Sequence, residues 1–451
     1  MAISSYARWM LAQEARSLLT RLRRVRPFVL IEPMVPAAAL LPSAQTAIEA
    51  YLAQGRRGLH GMVMAFLAWL KGPAARNASA AEAQRRFTFV RLKFNAALTQ
   101  FDLFNDVITQ RSEHKNGTWL SGLDVVSADA LALPGNYYRA PPVICYLDRG
   151  PGAAIRRART RLPGGGDNPV AIVRVPRERM VGSSIASSLF HEVGHQGAAL
   201  LDLVNSLRPV LQSMQRGAGG DGSDSSAAPA HVWRLWERWI SEVVADLWSL
   251  ARVGVAATMG LIGVVSLPRV FVFRVNPDDP HPAPWIRVKL SCALGEQLFP
   301  HPQWRRVAAL WDSFYPLTGL APEQRRLLLQ LEDSLPALAG LLARHRPALL
   351  RGRTLPDVLA VRARQPRRLA SLFLQWSVAP QRMYDAAPSL AFAVLGQARA
   401  DGRLSPEHES VLLGRLLTHW ALRSTLDLSA LCGDAAQHPQ HWRTEYRSTI
   451  L

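Results

Sequence analysis

The sequence predicts a predominantly helical α+β fold with a small sheet, and three observations carry that prediction. Apolar residues recur at helical spacing through both ends of the chain. Between them, "PPVICYL" (Pro141–Leu147) and "NPVAIVRVP" (Asn168–Pro176) are short β-branched runs bounded by turn-forming residues. The second run leads into "SSLFHEVGHQGAALL" (Ser187–Leu201), an apolar helical pattern carrying two histidines four residues apart.

Taken in order, residues 1–115 read as a helical N-terminal region, with helices over 5–25, 44–54, 58–71 and 79–112. Residues 116–299 read as the core. It opens with the two strands, joined by an arginine-rich segment and the turn "LPGGGDN". A helix is expected from Gly182 or Ser183 to about Leu207, with the early serines as cap candidates. The Gly/Ser/Asp-rich stretch 216–230 is expected to be a mobile loop. The tryptophan-rich "HVWRLWERWISEVVADLWSLARVG" follows as a second helix. "VGVAATMGLIGVVSLP", Val253 to Pro268, falls short of the roughly 20 apolar residues that span a bilayer. It reads as a core helix whose Gly254, Gly260 and Gly263 suit close packing, with a re-entrant membrane segment as the weaker alternative. Residues 300–451 read as a helical C-terminal domain punctuated by prolines.

At 451 residues the chain is long enough for two or three domains. Its net charge is +19, from 53 basic and 34 acidic residues, which attracts anions over long range. The basic residues are mostly arginines scattered along the chain, and no nucleic-acid motif accompanies them, so no specific nucleic-acid partner is expected. Cys145, Cys292 and Cys432 are far apart and odd in number, which argues against a disulfide framework or a cysteine-ligated metal and fits a reducing cytoplasm. The N-terminal apolar stretch follows several arginines and is cut by Glu32 and Pro33, so no secretory leader is expected. A cytoplasmic protein without a transmembrane anchor is the resulting expectation.

The histidine helix carries the chemistry. Residues i and i+4 lie one turn apart on one helix face, so His191 and His195 can direct two imidazoles at one ion. Glu192 is rotated away from that face and is placed to reach a water on the metal, the division of labour of HExxH. A catalytic zinc needs a third protein ligand. The later positions of HExxHxxGxxH are Ala198 and Leu201 here, so the ligand must come from elsewhere. Glu242 and Asp246 on the tryptophan-rich helix are again four apart. Glu242 can complete a His/His/Glu set, and Asp246 can accept the outer N–H of a ligand histidine. The competing readings are Glu237 as ligand, which lacks an acidic partner because position 241 is Ser, and a polar face paired with Arg238 or Arg252.

HExxH followed by ExxxD on a later helix resembles the gluzincin metallopeptidases. "EVVAD" matches the ExxAD form found in the family of the CAAX prenyl protease and the heat-shock protease HtpX, and "HPAPWIR" supplies its third element, HPxxxxR. The likeness covers roughly residues 168–295. It implies a zincin-like core, one zinc per chain on His191, His195 and Glu242, Glu192 as the base, and Asp246 orienting a ligand histidine. It also places His281 and Arg287 near the site. His281, held between Pro280 and Pro282, is stiff and suited to donate where charge develops; Arg287 has Asp246, Asp278 and Asp279 as candidate partners. Members of that family commonly have membrane-spanning helices, which this chain does not repeat.

The strand Asn168–Val175 is bracketed by Pro169 and Pro176, as expected of an edge, and Ala171, Ile172 and Val173 are the candidate substrate-binding residues by strand addition. The expected function is therefore a zinc metalloendopeptidase acting on a peptide or protein substrate. The alternative is a zincin-fold scaffold or regulatory protein with latent or no peptidase activity, its helical flanks docking a partner.

Overall fold

The fold is described from a computed structural model covering residues 2–25, 34–150, 152–162, 165–180, 182–217, 228–276 and 278–437. Residues 26–33, which contain Glu32 and Pro33, and 218–227, most of the expected loop 216–230, lie outside the described residues. The described residues are predominantly helical with one three-stranded sheet. They divide into two compact units.

The first unit comprises Met1–Ser121, Pro141–Tyr146 and Arg156–Ile172. Three long helices build it: Ser5–Leu22, Pro42–Lys71 and Ala80–Thr109. Ser4 and Ser79 cap two of them, each side chain accepting from a backbone N–H three residues on, and Pro42 opens the third at a position where its missing N–H costs nothing. The 44–54 and 58–71 patterns form one continuous helix rather than two. Gly55 and Gly58 each weaken its interior by about 1 kcal/mol. Burial of the stripe Ile48, Leu52, Leu59, Val63, Phe66 and Leu70 outweighs that cost. Gly55 also admits the Phe101 ring, which a Cβ would meet at 2.6 Å.

The second unit comprises Gly122–Ala140, Leu147–Ile155 and Val173–Leu451, so the boundary drawn at 299 from sequence falls inside it. The tryptophan-rich helix, Ala230–Val253, runs through its core, with Trp233, Trp236, Trp239 and Trp248 all buried. Two of the indole N–H groups find buried acceptors: Trp236 donates to Ser334 Oγ at 2.8 Å and Trp248 to the Ala130 carbonyl at 3.1 Å. The apolar run after it forms a largely buried helix, Val255–Val265, as the sequence predicts, but Gly263, expected to be closely packed, is exposed with nothing within 4 Å of a Cβ. Gly254 (φ 59°) makes the corner between the two helices. Gly260 lies so close to the segment before His191 that a Cβ would meet the Ser183 carbonyl oxygen at 2.5 Å. Among the described residues no helix is long and apolar enough to cross a membrane.

The sheet has strands β1 (Val143–Asp148), β2 (Ala154–Arg156) and β3 (Ala171–Pro176) in the order β1–β3–β2. This corrects the expectation of an edge. β3 is the central strand, paired on both sides, and Ala171, Ile172 and Val173 are buried, so they offer no free backbone to an added strand. The physical reason is that Pro169 and Pro176 stand before and at the end of the strand, where they interrupt no ladder bond. The third strand is only "AIR", too short to register as a periodic run.

Candidate metal centre

The histidine helix differs from the single span expected over Ser183–Leu207. Its first turns are irregular: a short helix Ser183–Ile185 passes into a π-helical turn, Ala186–Phe190, before the regular helix His191–Leu200. Such single π turns occur frequently at functional sites. Leu201 and Asp202 break the helix, Asp202 with φ 52°, and a separate helix, Leu203–Gly217, continues the chain.

Two glycines set how closely this helix meets the tryptophan-rich one. A Cβ on Gly194 would lie 3.0 Å from both Cα and the carbonyl oxygen of Ala245, and one on Gly197 would lie 2.5 Å from the Trp248 ring. The absence of those Cβ atoms lets the two backbones approach, and the approach delivers Glu242 to the histidines. His191 Nε2 lies 3.2 Å from Glu242 Oε2, His195 Nε2 lies 3.4 Å from Glu242 Oε1, and the two Nε2 atoms are 3.2 Å apart. Glu242 Oε2 is buried without a well-formed hydrogen bond. Three Lewis-basic groups thus face one another in a largely desolvated spot. They form a group able to hold a metal ion.

Asp246 and Arg287 brace this group. His191 Nδ1 donates to Asp246 Oδ1 at 2.7 Å, which leaves Nε2 as the ring atom facing Glu242 and His195. Arg287 grips the same carboxylate with both prongs, Nε to Oδ2 at 2.7 Å and Nη2 to Oδ1 at 2.9 Å. Of the three candidate partners for Arg287, the fold selects Asp246. The rival uses of this helix face go elsewhere: Glu237 accepts from Gln212 and Gln215, Arg238 pairs with Asp278, and Arg252 donates to the Ala132 carbonyl.

The electrostatics follow from this crowding. Burial works against a charged His191, but the charge and hydrogen bond of Asp246, with Glu242, outweigh it and push the imidazole up to about 9. Burial favours protonation of Glu242, yet the facing imidazoles hold its carboxyl well below the usual range. Asp246 is likewise depressed, burial being overcome by Arg287 and His191.

His281 sits at the rim, half-exposed, with Nε2 3.3 Å from Glu242 Oε2. Asp279 aims it by accepting from both its backbone N–H (2.9 Å) and Nδ1 (2.8 Å). The Trp239 indole donates to the Asp279 carbonyl at 3.3 Å and ties this proline-rich turn to the tryptophan-rich helix. Glu192 is partly exposed, and among the described residues no hydrogen bond or ion pair holds its carboxylate. The structure thus gathers His191, His195, Glu242, Asp246, Arg287 and His281, while Ala171, Ile172 and Val173 lie in the central strand of the sheet. Two contributions were missed from sequence, that of Asp279, weighed there only as a partner for Arg287, and that of Ser241. Asp279 had a readable signal, an acidic residue two before a histidine in a turn. Ser241, whose Oγ is 3.4 Å from His195 Nδ1, had none. Comparison with protein-family models, with curated proteins and with solved structures finds no match for this chain.

Proposed function

We propose that this chain is a zinc-dependent metallopeptidase of the gluzincin type, akin to the CAAX prenyl protease and HtpX family, with His191, His195 and Glu242 as ligands. One observation carries the reading. Ligand bonds of 2.0–2.1 Å in a tetrahedral zinc site imply donor–donor separations of about 3.3–3.4 Å. The two imidazole Nε2 atoms here are 3.2 Å apart, and each lies 3.2–3.4 Å from a different oxygen of the Glu242 carboxylate, with one donor atom from each of the three residues within 4.8 Å of the others, reached by side chains from two helices. Two imidazoles and a carboxylate are a donor set suited to zinc, and three protein ligands leave the open position that catalysis requires.

Zinc bound there would supply a Lewis acid that brings the pKa of water toward neutrality. The chain's own residues do the rest. Glu192, one position from His191 and not engaged by another side chain, accepts a proton from the attacking water and returns it to the departing amine nitrogen. Asp246 holds the proton on His191 Nδ1 and so keeps the ligand tautomer, and Arg287 keeps Asp246 ionised. His281, aimed by Asp279 and half-open to solvent, is the candidate donor to the oxygen on which charge develops.

The test is metal analysis of the purified full chain together with cleavage of a broad peptide library by wild type and Glu192→Gln. The expected result is about one zinc per chain in both proteins and a loss of cleavage of about 10²–10⁴-fold in the variant. Cleavage by Glu192→Gln at the wild-type rate overturns the assigned base. Zinc without cleavage in either protein favours the scaffold reading.

A further inference from the structure

Within the second unit, a cavity of about 810 Å³ lies among the helices of the C-terminal segment, and arginine is the commonest residue in its lining. Arg344, Arg353, Arg362 and Arg368 all border it, and all four are exposed. Their neighbours have partners: Arg346 donates to the Gly352 carbonyl, Arg351 to the Asn136 carbonyl, and Arg364 is buried against Arg252 and Ser389. Among the described residues, no salt bridge or side-chain hydrogen bond is made by any of the four around the cavity. Asp357 is the only acid in the lining, and Thr354 donates to one of its two oxygens, Oδ2, through a reciprocal helix cap. Four arginines therefore border one space against a single carboxylate, Asp357, whose charge is felt by Arg353, so the lining keeps a net positive charge.

Two backbone features point the same way. The helix Pro366–Val378 begins at this cavity, with Gln365 and Arg368 in the lining. Its first turn has no acidic residue and no side-chain cap, so its free N–H groups and the positive end of its dipole add to the arginines Arg367 and Arg368 rather than offsetting them. That arrangement is unfavourable in the absence of an anion. Ala360, also in the lining, is held left-handed at φ 53°. An L-residue other than Asn or Asp adopts that conformation at a cost of about 1 kcal/mol or more, and such strained residues cluster at ligand clamps.

We propose that this cavity binds a small molecule carrying two or more linked phosphate groups, either a nucleoside di- or triphosphate or an inorganic oligophosphate. The planar fork of arginine matches phosphate oxygens two at a time, and four forks call for several such groups. The volume is that of a small-molecule site, not of an extended polymer groove. The proposal does not depend on the metal centre.

Isothermal titration of the full chain with pyrophosphate, tripolyphosphate and ATP tests it. Saturable one-to-one binding by at least one probe is expected. Tightest binding by ATP assigns the cavity to a nucleotide, and tightest binding by tripolyphosphate to an oligophosphate. The double reversal Arg353→Glu with Arg362→Glu is expected to weaken binding at least tenfold. The double reversal Arg325→Glu with Arg326→Glu, the same charge change on an exposed helix outside the lining, leaves it within twofold. Glu242→Ala, which disables the metal centre, also leaves it unchanged. Equal losses in the two reversed pairs, dependence on Glu242, binding of a polyglutamate peptide in place of the phosphates, or no binding by any probe each overturns the proposal. Circular dichroism of the reversed variants separates lost affinity from lost fold, and Arg353→Gln with Arg362→Gln repeats the test with a milder change.

Discussion

Asp246→Asn separates two jobs that one carboxylate performs. Its Oδ1 accepts from His191 Nδ1 at 2.7 Å and Arg287 Nη2 at 2.9 Å, and its Oδ2 from Arg287 Nε at 2.7 Å, with the side chain 11% exposed. Asparagine is isosteric, but it has no charge and presents an NH₂ group to one of the two donors. In the ion-free protein the Arg287 charge is then left buried. Breaking a buried pair from one side costs about 3–5 kcal/mol. Glu242, 3.8 Å from Arg287 Nη2, offsets part of this, which places the expected loss near the lower end, about 3 kcal/mol. For the ion-bound protein the relevant quantity is different. Loss of the carboxylate behind a ligand histidine weakens metal affinity about 10–100-fold. Urea denaturation in the presence of chelator reads the first effect, and competition with a chromogenic zinc chelator reads the second. A variant that loses stability yet binds zinc within twofold of wild type would refute the ligand-orienting role and leave Asp246 as a purely structural counter-ion.

Three further outcomes follow from the same geometry. Glu242→Ala is expected to abolish stoichiometric zinc while Glu237→Ala retains it, measured by elemental analysis; retained zinc in Glu242→Ala removes the assigned third ligand. Gly194→Ala places a Cβ 3.0 Å from Ala245 backbone atoms and is expected to destabilise by about 1–3 kcal/mol, whereas Gly263→Ala, with nothing within 4 Å of its Cβ, stabilises by about 0.4–1 kcal/mol. Equal urea midpoints for the two variants would mean that the close helix approach is wrong. The third concerns pH. His191 keeps its proton up to about 9 in the ion-free protein, so a metal must displace that proton. Affinity should rise about tenfold per pH unit from about 7 to about 9 and then level off, and calorimetry in two buffers at pH 7 should show proton release. The stability of the ion-free protein runs the other way. A raised histidine pKa contributes stability that is fully present below about 6.5, the unfolded value, and lost as pH rises through about 9. Metal affinity that does not change over that window rejects the displacement.

What was legible in the sequence was what a single helix encodes. His191 with His195, and Glu242 with Asp246, are each i, i+4 pairs, so their sharing of a face follows from helical geometry before any tertiary contact exists. The core helix after Val253 was legible for the same reason. The partner of Arg287 was not, because Asp246, Asp278 and Asp279 are equivalent in sequence and only the packing of two helices chooses among them. The place of β3 in the sheet was hidden behind a three-residue neighbour with two charged or exposed positions. The arginine-lined cavity was hidden more deeply, since its residues are spread from Gln297 to Arg368 and no local period joins them.

The meeting of the two helices lies between these cases. "HEVGHQG" puts glycines three residues apart on the histidine helix, at a combined propensity cost of about 2 kcal/mol against alanine. Both glycines face the tryptophan-rich helix, where a methyl group would collide with Ala245 or Trp248. A helix that spends that much intrinsic stability on one face is signalling a backbone contact there. The motif thus contained both halves of the group: the histidines mark two candidate donors, and the glycines between and after them mark the face on which Glu242 arrives.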